Sequence, residues 1–206
     1  MTDKKIIISA IILTLLLVGG AWYYAKQAPG ASPSPTPSGD LESGILVGNP
    51  DAAVTLEEYT NFSCSACGFF AAGALGRIKE DYIKTGKVKM IIYILPPYEF
   101  SWAALCAEEQ NKFVELHDYI FAHQSQITQE SSLKDAAVNA GLDSAKFNTC
   151  YASGKYDDKA IKWSQEAIAR GIDATPTFFI NGQKLIGALP YDDFKKVIDE
   201  KLNQAQ

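Results

Sequence analysis

Two cysteines held two residues apart, Cys64-Ser65-Ala66-Cys67, stand between a stretch with strand propensity and a stretch with helical spacing. A C-x-x-C pair in that position serves thiol exchange or metal binding. Structural zinc takes four ligands, often from two such pairs. Here the remaining cysteines, Cys106 and Cys150, are isolated, and the two histidines, His117 and His123, fall in a separate helical region. That spacing argues against zinc. Exchange fits better. A cysteine at the start of a helix faces unpaired N–H groups and the positive end of the helix dipole, and both lower its pKa. The thiolate is the attacking species. Cys64 is therefore the expected nucleophile. Cys67, one turn deeper, is the thiol expected to resolve a mixed disulfide.

The flanking pattern is mixed α/β. Residues 53–59 (AVTLEEY) have strand propensity and end at a turn-like Thr60-Asn61. Residues 68–84 carry apolar side chains at helical spacing. Residues 88–95 (VKMIIYIL) form a nearly continuous apolar run, as in a strand buried on both faces, closed by Pro96-Pro97. From 100 to 172 the spacing is helical throughout, with Gly141, Gly154 and Gly171 as stops. Asn181-Gly182 between residues 177–180 and 183–186 is a hairpin signal. Residues 191–202 place Phe194, Val197, Ile198 and Leu202 on one helical face. The first strand, helix and strand are expected to form a right-handed parallel crossover.

The ends of the chain differ in kind. Residues 6–25 carry no charge, and twenty residues at about 1.5 Å each span about one hydrocarbon core. Trp22, Tyr23 and Tyr24 lie at one end, where an interfacial aromatic belt belongs. Lys4 and Lys5 precede the run, so the positive-inside rule puts the N-terminus in the cytoplasm and the remainder outside. A cleaved signal peptide ending near Gly19-Gly20-Ala21 is the competing reading, and it also exports the remainder. Residues 1–27 are thus a cytoplasmic stub and a transmembrane anchor. Residues 28–40, rich in Pro and Ser, are an extended linker. Residues 41–206 are the exported domain, with 16 basic and 22 acidic residues. An acidic domain with no basic cluster is a poor nucleic-acid binder.

Thr175-Pro176 heads the apolar strand at 177–180. A proline there removes one ladder donor. Opposite a C-x-x-C it reads as part of a substrate-binding loop. With LEEYTNFSCSAC (56–67), CAEEQNKFVELHDYIF (106–121) and ATPTFFINGQKLIGALPY (174–191), the chain resembles the DsbA-like thiol–disulfide oxidoreductases of the thioredoxin superfamily. The resemblance covers about residues 44–202. It implies a thioredoxin fold with a helical insertion at about 100–172 and an enzyme that carries disulfides to exported proteins. It also implies Pro176 as a cis-proline, Thr175 and Pro176 as substrate contacts, and no bound cofactor. A DsbB-like or vitamin K epoxide reductase-like membrane protein is the implied reoxidising partner.

Glu58 matches a family position, a buried carboxylate six residues before the nucleophile. Such an acid would have a raised pKa and could relay a proton to or from Cys67. Glu57 is adjacent, and strand alternation sends one of the two elsewhere. Two features leave the direction of electron flow open. Strongly oxidising members carry His where this chain has Ser65-Ala66, which predicts a less depressed Cys64 pKa. Thr175 before Pro176 is also common in isomerases and reductases. A disulfide reductase or isomerase, or a non-catalytic peptide-binding chaperone module, are the alternative readings.

Free buried cysteine behaves as a small hydrophobe. An exported setting instead favours pairing, so Cys106 and Cys150 are expected to form a structural disulfide. His117 and His123 are expected at packing or surface positions, with Trp102, Phe113 and Phe121 in the core of the insertion. Asn61-Phe62-Ser63 fits the glycosylation pattern but adjoins the nucleophile, where a glycan would obstruct exchange.

Overall fold

The computed structural model describes residues 44–205. Strand β1 is Ile45–Val47, β2 is Val54–Thr60 and β3 is Val88–Ile94. Strands β4 (Thr177–Ile180) and β5 (Gln183–Ile186) complete a five-stranded sheet in the order β1-β3-β2-β4-β5. β2 and β3 run parallel, from Val54 beside Val88 to Thr60 beside Ile94. Between them come helix α1 (Ser65–Ala72), helix α2 (Ala74–Ile78) and a π-helical turn at Lys79–Ile83. This is the expected crossover. β4 runs antiparallel to β2 and places Thr177 beside Tyr59.

The helical run expected at 68–84 differs in detail. It starts earlier, at Ser65, and breaks at Gly73. β1 lay outside the sequence expectation altogether, because three residues are too few to show a period of two. It pairs antiparallel with β3. At the hairpin, Asn181 and Gly182 have φ of 43° and 85°, as a type I′ turn requires at both central residues.

The insertion is helical throughout: α3 (Tyr98–Glu108), α4 (Phe113–Ala122), a 3-10 turn at Gln124–Gln126, α5 (Glu130–Asn139), α6 (Ser144–Tyr151) and α7 (Asp157–Ala169). The glycines expected as stops, Gly141, Gly154 and Gly171, follow α5, α6 and α7 in the left-handed region. A disulfide between Cys106 and Cys150 joins α3 to α6. Helix α8 (Tyr191–Gln204) closes the domain.

Alternation along β2 divides the core. Leu56, Glu58 and Thr60 face one layer and Glu57 and Tyr59 the other. On the first side Phe70 of α1, Phe178 of β4 and Phe194 of α8 are fully buried, with ring centroids 4.5–5.2 Å apart. Each such side chain contributes about 1.5–3 kcal/mol of hydrophobic stabilisation. On the other side Tyr59 stacks on Tyr93 at 4.5 Å, and Trp163 of α7 meets Tyr93 edge-on. Arg170, at the end of α7, pairs with Glu57, donates to the Tyr59 hydroxyl and lies 3.8 Å from the Phe179 ring centroid. The Glu57–Glu58 ambiguity is resolved by this division: Glu57 meets Arg170, and Glu58 is buried under α1. Phe113 is buried, Phe121 half-buried against Phe62, and Trp102 half-buried edge-on to Tyr151.

The uncharged run at 6–25 and the linker at 28–40 lie outside the described residues. Among the described residues, no helix is long and apolar enough to cross a membrane.

Candidate active site

The pairing of β2 with its neighbours decides where the cysteines lie. β2 ends at Thr60, whose carbonyl accepts from Leu95 N at 2.7 Å. The chain then turns at Asn61. Its side-chain Oδ1 accepts from Ser63 N at 2.6 Å, and its Nδ2 donates to the Pro96 carbonyl. Cys64 N donates to Asn61 O at 3.0 Å, which closes the turn. The Asn61 amide is thus engaged in the fold.

Cys64 occupies the N-cap of α1 with extended dihedrals, φ −86° and ψ 120°. No side chain caps this end. The first backbone N–H groups are left to the sulfur, and the helix dipole adds to their effect. Burial works against the Cys64 thiolate. Hydrogen bonds from the Thr175 hydroxyl, from the amide and thiol of Cys67 and from the Ala66 amide outweigh it, and the pKa lies below the ordinary value. As a thiol, Cys64 Sγ donates to the Thr175 carbonyl at 3.3 Å. The Thr175-Pro176 peptide is cis, as is Pro96-Pro97. The Pro176 carbonyl accepts from Gly187 N at 2.8 Å, which ties this loop to the end of β5.

Cys67 is buried and unbridged. Burial pushes its thiol up to about 12, against the Thr60 hydroxyl, the Asn61 backbone and the Thr175 hydroxyl, which favour the thiolate. The Cys64 sulfur adds to the rise, because one proton shared between two sulfurs favours ionisation of the outer one. The two cysteines therefore shift in opposite directions.

Glu58 is fully buried, and both its carboxyl oxygens lack a hydrogen bond of normal geometry. Burial raises its pKa from 4.5 to about 8, against the nearby Thr60 hydroxyl and the Lys79 charge. Thr60 neighbours both Glu58 and Cys67, so the acid and the inner thiol share one buried polar residue. The Thr60 hydroxyl itself makes no hydrogen bond of normal geometry. Lys79 pairs with Asp118 of α4 at 2.7 Å. His117 is buried among Phe62, Phe113 and Phe121, and burial lowers its pKa. His123 stacks on Tyr119.

Gln124 was not singled out by its sequence context. From the 3-10 turn of the insertion its Nε2 donates to Phe62 O at 2.7 Å and to Cys64 O at 2.8 Å. Its Oε1 lies against Gly68, where an added Cβ would meet it at 2.8 Å. The same residue, with Ser63, Ser65, Phe100 and Leu133, lines a groove of about 500 Å³ beside the cysteine loop. Phe69, two positions past Cys67, is 74% exposed. Among the described residues, no group of three or more His, Cys, Asp and Glu side chains is arranged to hold a metal.

Comparison with known proteins agrees with this geometry. A sequence model described as "Thioredoxin" matches residues 40–200. The "Probable disulfide bond formation protein D" of Bacillus anthracis is 26% identical over 171 residues, covering 77% of this chain and 78% of that protein. The crystal structure of Wolbachia pipientis alpha-DsbA1 superposes with a TM-score of 0.72 at 27% identity, covering 78% of this chain and 92% of that one. The "Na(+)/H(+) antiporter NhaA 1" of Mycobacterium sp. (strain KMS) is 30% identical over 203 residues, 90% of this chain but 32% of that protein. The last match concerns a third of a longer chain and carries no ion-transport activity over. The sheet order, the helical insertion and these matches agree: the chain belongs to the thioredoxin family, among its DsbA-like thiol–disulfide oxidoreductases.

Proposed function

We propose that this chain is a membrane-anchored, extracytoplasmic enzyme that oxidises the thiols of exported proteins through Cys64 and Cys67. The observation that carries the reading is the opposed environment of the two sulfurs. Cys64 sits at the open start of α1 with a lowered pKa, against the loop of Thr175 and Pro176. Cys67 is buried with a raised one.

The steps follow from that contrast. In the oxidised enzyme Cys64 and Cys67 share a disulfide. A substrate thiolate attacks Cys64 Sγ, the accessible sulfur. The bond between the two cysteines breaks and its electron pair leaves on Cys67 Sγ. With a thiol pKa of about 12, Cys67 takes up a proton, and Glu58, an acid of pKa about 8 beside the shared Thr60, supplies it. A second thiolate of the substrate then attacks the substrate sulfur of the mixed disulfide. Cys64 leaves as the stabilised thiolate. The substrate has lost two electrons and the enzyme has gained them. Thr175 and Pro176 hold the substrate backbone beside Cys64 during both attacks. A DsbB-like or vitamin K epoxide reductase-like membrane protein takes the two electrons away. The uncharged run at 6–25 anchors the chain, the linker at 28–40 holds the domain off the bilayer, and no bound cofactor takes part.

The test is the reduction potential of Cys64–Cys67 in the purified full chain, equilibrated with glutathione buffers. A value near about −120 mV supports a dedicated oxidant. A value near about −270 mV overturns that direction and makes the chain a reductase. A Cys64→Ser variant that keeps full oxidising activity overturns the assignment of the nucleophile.

A further inference from the structure

We propose that Gln124 is a positioning residue that ties the helical insertion to the cysteine loop and so tunes the reactivity of Cys64. The inference rests on the exchange chemistry proposed above.

The geometry is specific. One amide nitrogen, with two hydrogens, meets two backbone carbonyls, those of Phe62 and Cys64, at 2.7 and 2.8 Å. The amide orientation follows from chemistry: the opposite flip would set Oε1 against two carbonyl oxygens, three acceptors with no donor. The Cys64 carbonyl also accepts from Gly68 N at 3.1 Å, so it carries two donors at the first turn of α1. Gly68 is what allows the approach, because any side chain there meets Oε1 at 2.8 Å. Gln124 belongs to the 3-10 turn between α4 and α5, whereas Phe62 and Cys64 flank the end of the loop from β2. A single side chain therefore bridges two parts of the fold separated by 60 residues.

The consequence for Cys64 is indirect. Its sulfur is held over the Ala66 and Cys67 amides only while the Cys64 peptide keeps its extended N-cap dihedrals. Pinning the carbonyls on either side of Ser63 fixes that peptide. Without the two donors the loop gains freedom, the sulfur spends less time over the amides, and the thiolate is less stable. A less stable thiolate makes the reduced form less favoured and the enzyme a weaker oxidant. Gln124 also lines the groove beside Ser63 and Ser65. A substrate pressing into that groove bears on the same side chain that sets the loop.

The experiment compares the full chain with Gln124→Met, which keeps length and volume but donates nothing, and Gln124→Glu, which keeps shape but sets an acceptor against two carbonyls. Both variants are expected to raise the Cys64 pKa, read from thiolate absorbance. Both are expected to shift the equilibrium with glutathione about tenfold toward oxidised enzyme and reduced glutathione, about 30 mV for a two-electron couple, with Gln124→Glu the larger. A merely structural residue would change the melting temperature and leave the pKa and potential of the folded protein unmoved. Folded variants whose pKa and potential match the parent would overturn the proposal. If neither variant folds, the unmodified chain still answers. The side-chain amide resonances of Gln124 are expected to titrate with Cys64 in the reduced protein, and resonances that ignore that titration refute the coupling. A parent chain that does not exchange with glutathione at all sinks the proposed chemistry instead, which keeps the two failures distinct.

Discussion

Cys64 Sγ and the Thr175 carbonyl oxygen lie 3.3 Å apart, although 111 residues separate them in the chain. The contact exists because β4 pairs antiparallel with β2. The residue after β2 and the residues before β4 then leave the sheet at the same end of the strands. The helix that begins after Cys64 and the cis-proline loop meet there, one following β2 and the other preceding β4.

The Thr175 hydroxyl favours the thiolate of both cysteines. A hydrogen bond to a charged group is worth about 1.5–3 kcal/mol, and one pKa unit corresponds to about 1.4 kcal/mol. Thr175→Val is therefore expected to raise the Cys64 pKa and to weaken the enzyme as an oxidant. The sign of the linked stability follows. A thiol whose folded pKa is lowered stabilises the reduced fold above its unfolded pKa, and that contribution fades as pH falls through the folded pKa. The variant should lose this alkaline stabilisation of the reduced form. Thiolate absorbance against pH, with melting curves of the reduced protein, tests both; an unshifted titration would count against the hydroxyl's role.

Glu58 should make the protein's stability fall with pH. Its folded pKa of about 8 exceeds the ordinary 4.5, so its burial costs nothing below about 4.5 and progressively more between 4.5 and 8. At pH 7 the cost approaches about 3.5 kcal/mol, from about 2.5 units at about 1.4 kcal/mol each. Glu58→Gln is thus expected to be the more stable protein at neutral pH and to converge on the parent near pH 4.5. Its exchange rate should be slower and should lose the inflection near pH 8. Denaturant unfolding at several pH values, with rates beside it, checks this; a variant less stable than the parent at pH 7 would contradict the buried-acid account.

Cys106 and Cys150 close a loop across the insertion. With a sequence separation of 44, the chain-entropy treatment gives about 4 kcal/mol of stabilisation. Replacing both by alanine should lower the melting temperature and leave glutathione exchange at Cys64 unchanged. Calorimetry and an exchange assay on the same sample separate the two. A large loss of exchange in the folded variant would implicate this disulfide in the reaction.

Arg170 joins α7 to the back of the sheet. Its side chain and that of Glu57 are 12% and 18% exposed, so the pair is largely out of water. Arg170→Met leaves Glu57 without its partner and the Tyr59 hydroxyl without a donor. Such a loss costs about 3–5 kcal/mol for a buried pair, and somewhat less here for the residual exposure. Exchange rates should hold while stability drops, as chemical unfolding of the variant would reveal.

Much of the site could be read from sequence because its signals are local. The C-x-x-C at a strand-to-helix junction, the apolar run of β3, the Asn181-Gly182 turn and the glycines after α5, α6 and α7 each depend on residues a few positions apart. The uncharged run at 6–25 is legible in the same way. Three things were not. β1 has three residues, too short for a period to show. The burial of Glu58 rather than Glu57 depended on which face of β2 met α1, and strand alternation alone is symmetric between them. Gln124 looks like any polar residue in a helical region until the insertion folds back and sets it against the Phe62 and Cys64 carbonyls. The sequence by itself determined the chemistry available and the elements that carry it, since propensity, periodicity and turn chemistry act over a few residues. Only the tertiary structure decided which distant groups surround each sulfur. The pairing of β2 with β4 and the packing of α4 on α1 are set by burial across the whole domain; the pairing sets Thr175 beside both sulfurs, and the deeper burial of Cys67 is what parts its pKa from that of Cys64.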